Sequence, residues 1–274
     1  MSNLLNHINE SRVAEAFTRQ ASVFDREYAS NPVINYKRNR VRQHVMNLLS
    51  PSNTILELNS GTGDDAIFFA KQGHKVHATD ISEGMQSELK RKLEAAGLED
   101  FITVEKCSFL ELDQLKEKGP YDLVFSNFGG LNCTRELDKV LASFRPLLKP
   151  GGRVCLVIIP PFCLWESLFF FNGEFKLATR RFFKSNGTKA NVEGKEFRCW
   201  YYSPAFVRKH MKQHFKLTGL EGLCTIVPPS YKDSFPKKHA SLFEFLKKTE
   251  DRYKSSWPWN SVGDYFIISF KNIS

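Results

Sequence analysis

From Thr54 onward the chain alternates short, nearly uninterrupted apolar runs with stretches of helical period: TILEL precedes AIFFAKQG, KVHATD precedes MQSELKRKLEAAG, and FITVEK and YDLVFSN follow. A helical stretch over 136–148 and the turn Lys149-Pro150-Gly151-Gly152 then lead into RVCLVII. A strand with one wet face alternates polar and apolar residues. Runs apolar on both faces and separated by helices therefore predict a parallel sheet covered on both sides. The fold class expected is α/β, doubly wound.

The flanks read differently. Two helices are expected ahead of this unit, over 11–20 and 36–49, with Pro51 marking the exit of the second. After Ile159 the alternation breaks. Pro160-Pro161 opens the aromatic stretch FCLWESLFFFNGEFKLATRRFF, and a polar segment with Gly187 and Gly194 leads to KEFRCWYYS, which reads as an insertion rather than another strand and helix. A helix starting at Ser203-Pro204, a strand in FKLTGLEGLCTIV, a basic helix over 237–254 and a last strand in DYFIISF complete the chain.

Composition narrows the class further. With 274 residues, 42% hydrophobic and 25% charged, the chain is an ordinary globular protein and not a disordered one. No apolar run reaches the roughly 18 residues of a transmembrane helix, and MSNLLNHINESRVAEAF has polar residues where a signal peptide has its apolar centre, so a cytoplasmic location with no membrane span is expected. Six cysteines stand singly, without C-x-x-C pairs or histidines in ligand spacing; no metal and mostly buried thiols are expected. The net charge of +9 lies entirely in the C-terminal part: Lys and Arg balance Asp and Glu at 20 against 20 over residues 1–160, and stand at 19 against 10 over 161–274. A basic half attracts nucleic acid, an anionic membrane surface or an acidic small molecule, yet solvated lysines such as Lys247 and Lys248 are the commoner explanation.

The first strand runs into Glu57-Leu58-Asn59-Ser60-Gly61-Thr62-Gly63-Asp64-Asp65-Ala66, and the second ends at Asp80. Gly61-x-Gly63-x-x-Ala66, with an acid 19 residues beyond Gly61, fits a nucleotide-binding β-α-β unit whose acid bonds ribose hydroxyls. The charges refine this. A pyrophosphate at the helix N-terminus would meet Glu57, Asp64 and Asp65, whereas a ligand with adenosine at one end and positive charge at the other suits them. The alternative for Asp64 and Asp65 is that they merely cap the helix.

ILELNSGTGDDAIFFAKQGHKVHATDISEGM, FSNFGGLN after the fourth strand and LLKPGGRV before the fifth resemble the motifs of class I S-adenosylmethionine-dependent methyltransferases, particularly the small-molecule branch similar to the ubiquinone and menaquinone biosynthesis enzymes. The likeness covers about residues 50–160. It implies a Rossmann-like, seven-stranded sheet whose last strand inserts antiparallel between the fifth and sixth. It also implies S-adenosyl-L-methionine as cofactor and says little of the acceptor; the aromatic insertion and the lack of an appended RNA-binding domain lead to the expectation of a small, partly apolar methyl acceptor rather than nucleic acid, in a monomer or weak dimer. By position, Glu57 and the loop of Asn59, Ser60, Gly61, Thr62 and Gly63 approach the methionine moiety, Asp80 binds the ribose diol, and Ile81 and Met85 pack along the adenine. Ser108 in CSFLEL stands where the family meets the adenine amino group, and Phe109 after it also belongs to the cofactor-binding set. The family usually has glycine at Asn59 and often an acid at Ser108; asparagine tolerates left-handed backbone, and a serine hydroxyl still accepts a hydrogen bond. SRVAEAFTRQASVFDREYAS resembles the helical cap of this branch, with Phe24 and Tyr28 over the cofactor. The organisation expected is a cap over 1–50, a cofactor-binding core over 51–160, an insertion or lid over 161–202 and completion of the sheet over 203–274.

Ligands of open α/β sheets sit beyond the carboxyl ends of the strands. That places Asn127, Phe128 and Asn132 after the fourth strand, and Phe162 and Trp165 after the fifth, around the transferable methyl group and its acceptor. Asn127 is followed by Phe-Gly-Gly rather than the Pro-Pro-Tyr or Pro-Pro-Phe of enzymes acting on amide or base nitrogen. This counts against a nucleobase or glutamine acceptor. The insertion's Phe162, Trp165, Phe169, Phe170, Phe171, Phe175, Phe182 and Phe183 are either core contacts or an aromatic wall over an apolar acceptor. Tyr201, between Trp200 and Tyr202, offers a hydroxyl to orient it. In-line methyl transfer requires alignment and exclusion of water, so no catalytic base is assigned. Two other readings stay open: an RNA methyltransferase using the basic C-terminal part, and a nucleoside-binding module without transfer activity.

Overall fold

The structure is a computed structural model that describes residues 2–173, 175–182 and 186–273. Two helices come first, α1 (Ser2–Ala29) and α2 (Pro32–Met46). The chain stops between them at Asn31, whose side chain accepts from the N–H groups of Val33 and Ile34 while Pro32 fills the first helical turn. α1 is much longer than the period over 11–20 suggests, because it is held along its length by packing against later elements.

The core then alternates as expected: β1 (Thr54–Leu58), α3 (Asp64–Lys71), β2 (Lys75–Asp80), α4 (Glu83–Ala96), β3 (Ile102–Lys106), β4 (Tyr121–Ser126), α5 (Leu137–Ala142) and β5 (Leu148–Ile158). α5 stops well before residue 148 and gives way to a tight turn, since Pro146 cannot donate to a helical ladder. The insertion holds two short helices, α6 (Leu164–Leu168) and α7 (Phe175–Ala178), and a hairpin, β6 (Thr188–Val192) and β7 (Lys195–Cys199). Next come α8 (Pro204–Met211), capped by Ser203, then β8 (Phe215–Leu223), α9 (Ser234–Lys238), α10 (Ala240–Tyr253) and β9 (Tyr265–Asn272).

The main sheet has the order β3-β2-β1-β4-β5-β9-β8, with β9 antiparallel to both β5 and β8. Successive residues of one strand enter opposite cores. Val154, Leu156 and Ile158 join α5 and α8 on one face; Cys155 and Val157 join α2, α3 and α4 on the other. A third cluster joins α1 (Val13, Ala16) to Cys133 and to Phe197 of the hairpin. This packing brings α1 and the hairpin over the carboxyl ends of β1, β2 and β4. Among the described residues no helix is long and apolar enough to cross a membrane.

Candidate functional site

Beneath α1 and the hairpin lies a cavity of about 340 Å³. Its floor begins at the β1–α3 turn, where Asn59 (φ +48°), Gly61 (φ +56°) and Gly63 (φ +78°) take left-handed backbone. The turn folds back so that the Gly61 N–H donates to Asp80 Oδ2 at 2.9 Å, while Ser82 N–H donates to Oδ1 at 2.8 Å. Each carboxylate oxygen keeps a lone pair for a further donor. Burial raises the Asp80 pKa, and the N–H groups of Ser82, Gly61 and Ile81 oppose that rise. Gly63 lies behind the cavity wall as the N-cap of α3; a Cβ there would sit 2.0 Å from Leu89 Cδ1.

Asn59 has an extra duty. Its Oδ1 accepts from Ser126 Oγ at 2.7 Å and its Nδ2 donates to the Asn127 carbonyl at 3.1 Å, tying the β1 loop to the end of β4. Gly130 makes room for it, since a Cβ there would lie 2.2 Å from Asn59 Cγ.

The three acids differ from one another. Asp64 and Asp65 neither cap α3 nor stand free for a cationic ligand, which corrects the sequence expectation. Arg42 Nε donates to Asp65 Oδ1 at 2.7 Å, Asn127 Nδ2 donates to Asp65 Oδ2 at 2.7 Å, and Arg38 and Lys92 pair with Asp64. These cations lie 22 or more residues away in sequence, on α2 and α4. Glu57 is the exception. It is 2% exposed, its Oε2 has no partner among the described residues, and burial together with the charge of Asp65 pushes its carboxyl well above the usual range. Ser60 Oγ is likewise buried without a partner.

Tyr28, Glu57, Asn59, Ser60, Gly61, Thr62, Asp80, Ile81, Met85, Phe109, Asn127 and Phe128 all line the cavity. Phe17 and Phe24 of α1 join them, the Phe24 and Tyr28 rings lying 4.4 Å apart. Ser108 does not; its hydroxyl is hydrogen-bonded to Glu10 of α1. Asn132 is enclosed, donating to the carbonyls of Ile159 (3.0 Å) and Trp200 (2.6 Å), and so fastens the hairpin to the sheet. Phe162, Trp165 and Tyr201 are also not among the lining residues. After Pro160 the chain turns away toward the loop before β9, where Leu164 N–H meets the Val262 carbonyl at 2.9 Å. Phe162 packs on Phe182 and Tyr201 lies under the Arg181 guanidinium. Phe170 and Phe175 form an exposed pair, while Phe183 and the Phe171 side chain lie outside what is described. The insertion's contribution to the cavity is Phe197 and Cys199 of the hairpin. Sequence reasoning missed Lys37, Ser230 and Tyr265, which line the opposite end.

A sheet with β9 inserted antiparallel between β5 and β8, and a glycine turn bonded to the acid that ends β2, defines a class I methyltransferase fold. Residues 55–152 match the family model described as a methyltransferase domain. Among curated relatives it is 32% identical over 121 residues to an S-adenosyl-L-methionine-dependent Diels-Alderase of Talaromyces variabilis, covering 43% of this chain and 41% of that one. It is 35% identical over 112 residues to demethylmenaquinone methyltransferase of Thermus thermophilus, covering 39% and 47%. The chain thus spans a little under half of each. In fold it resembles 1,6-didemethyltoxoflavin-N1-methyltransferase of Burkholderia thailandensis, at 14% identity, 98% and 90% coverage and a TM-score of 0.58.

Proposed function

We propose that the chain is an S-adenosylmethionine-dependent methyltransferase acting on a small, partly apolar acceptor, as a cytoplasmic monomer or weak dimer. The observation that carries this is the pair of carboxyls at separate points of one cavity: Asp80, held by backbone N–H groups with lone pairs to spare, and Glu57, whose buried Oε2 has no partner among the described residues. Two hydroxyls at one end and an ammonium at the other answer both needs. On this reading Asp80 accepts from the ribose, and Glu57 with the Asn59–Gly63 turn holds the amino-acid end. Ile81, Met85 and Phe109 flank the base, and Tyr28 covers it. The bound cofactor supplies an electrophilic methyl on a sulfonium. The protein's part is alignment and dryness, for which Phe17, Phe24, Phe128, Ile159 and Phe197 provide apolar walls.

The Diels-Alderase among the relatives favours one second reading, a nucleoside-dependent protein that transfers no methyl group. Tritium transfer from labelled S-adenosylmethionine into separated small-molecule and RNA fractions decides the matter. Label in the small-molecule fraction is expected; label in RNA overturns the acceptor class, and no label in either favours the second reading.

A further inference from the structure

At the β9 end of the cavity stands a lysine that the cofactor reading leaves unused. Lys37, on α2, is 2% exposed and lines the cavity together with Ser230 and Tyr265. Its ammonium donates to Ser230 Oγ at 3.0 Å and Asp264 Oδ2 at 3.2 Å, and lies 4.7 Å from the centroid of the Tyr265 ring. Two of its three N–H donors are thereby used. Burial opposes the charge, but Asp264, Tyr265 and Cys224 together outweigh it and keep the amine protonated. The Tyr265 hydroxyl is pushed up to about 12 by burial and remains a donor at neutral pH.

The charge around this lysine does not cancel. Asp264 is shared with Arg181, which also pairs with Glu166, and Glu166 in turn pairs with Arg180. Three cations therefore face two carboxylates. The neighbouring Arg38 offers no further surplus, being paired with Asp64 and Asp65. Cys163, Glu166 and Asp264 approach one another closely enough for a metal, but both carboxylates are already engaged by these cations. Position completes the argument. Asp80 ends β2 and Tyr265 begins β9, four strands away in the sheet order, or about 19 Å at the usual strand spacing. The site is thus at the far end of the cavity from the ribose position, beside Asn127 and Phe128.

We propose that Lys37 and Tyr265 form a subsite for an anionic oxygen on the methyl acceptor, a carboxylate, phenolate or enolate, gripped by the ammonium and the phenol hydroxyl beside the Phe128 ring. This deepens the methyltransferase reading and rests on it for the word acceptor. The test is calorimetry on the full chain, first with S-adenosylhomocysteine alone, then on the saturated protein with 1-naphthoate and its neutral isostere 1-naphthamide. The expected result is at least tenfold tighter binding of the carboxylate. Tyr265→Phe should reduce that preference severalfold, and Lys37→Met should abolish it, with thermal melts verifying that each variant is folded. Equal affinities in the wild type, binding of neither probe, or a preference that survives in both folded variants overturns the subsite. Failure to bind S-adenosylhomocysteine overturns the cofactor reading instead; the two probes are then compared on the protein alone.

Discussion

A buried carboxyl oxygen without a partner costs the folded chain stability, and Glu57 Oε2 has none among the described residues. Its pKa is raised on folding, so its contribution to stability is present below the ordinary glutamate value near 4.3 and is lost as pH rises through the raised value. Glu57→Gln should therefore melt higher than wild type at pH 7–8, by about 2–4 °C for each kcal/mol recovered. The same change should weaken S-adenosylhomocysteine, because an ammonium ligand is what ionises the acid. Binding by the wild type should release a proton and tighten as pH rises; calorimetry in two buffers of different ionisation enthalpy measures this, and zero release contradicts the assignment. Asp80→Asn acts at the other carboxyl and should cost about 1.5–3 kcal/mol of nucleoside affinity, roughly 10–100-fold, since it removes charge-assisted bonds.

At the scale of elements, the end of β8 has a distant cause. The apolar run continues to Val227, yet the strand stops at Leu223 because the N–H groups of residues 224–227 turn toward the Glu250 carboxylate of α10, each at 2.9 Å. Tyr36 of α2 donates to the same group. Glu250→Ala strands these buried donors and should destabilise the chain by about 3–5 kcal/mol, read from urea denaturation. α1 contributes differently. It reaches the cavity through Val13, Phe17, Phe24 and Tyr28 while remaining outside the sheet, so a ligand beneath it should slow amide exchange over residues 10–28 more than in β4 or β5. Equal protection throughout would leave α1 no role as a cover.

Over the whole molecule, the basic surplus of the C-terminal part is partly internal. Arg180 and Arg181 belong to the buried network at Asp264, and Lys254 pairs with Glu221 and Asp251. The charge left at the surface supports diffuse attraction only. Filter binding of unrelated RNA sequences should show no preference among them and a steep loss of retention between 50 and 200 mM salt. A sequence preference that survives the higher salt would revive the RNA reading.

The strands, most helices, the glycine turn and Asp80 were legible in the sequence because they depend on local period and on loops a few residues long; Gly61 and Asp80 need only one β-α-β unit to meet. Glu57 was also legible, but its unpaired Oε2 was not: the arginines that bond Asp64 and Asp65 rather than Glu57 come from α2. Lys37 meets Asp264 across 227 residues, and no pattern along the chain marks that encounter. The aromatic run after Pro160 signalled burial without saying against what: Phe162 packed on Phe182, Phe170 and Phe175 stayed exposed, and the plainer hairpin covered the cavity. Periodicity reports which face of an element avoids water. Which distant charge fills which buried space is decided only when the packed layers bring them together.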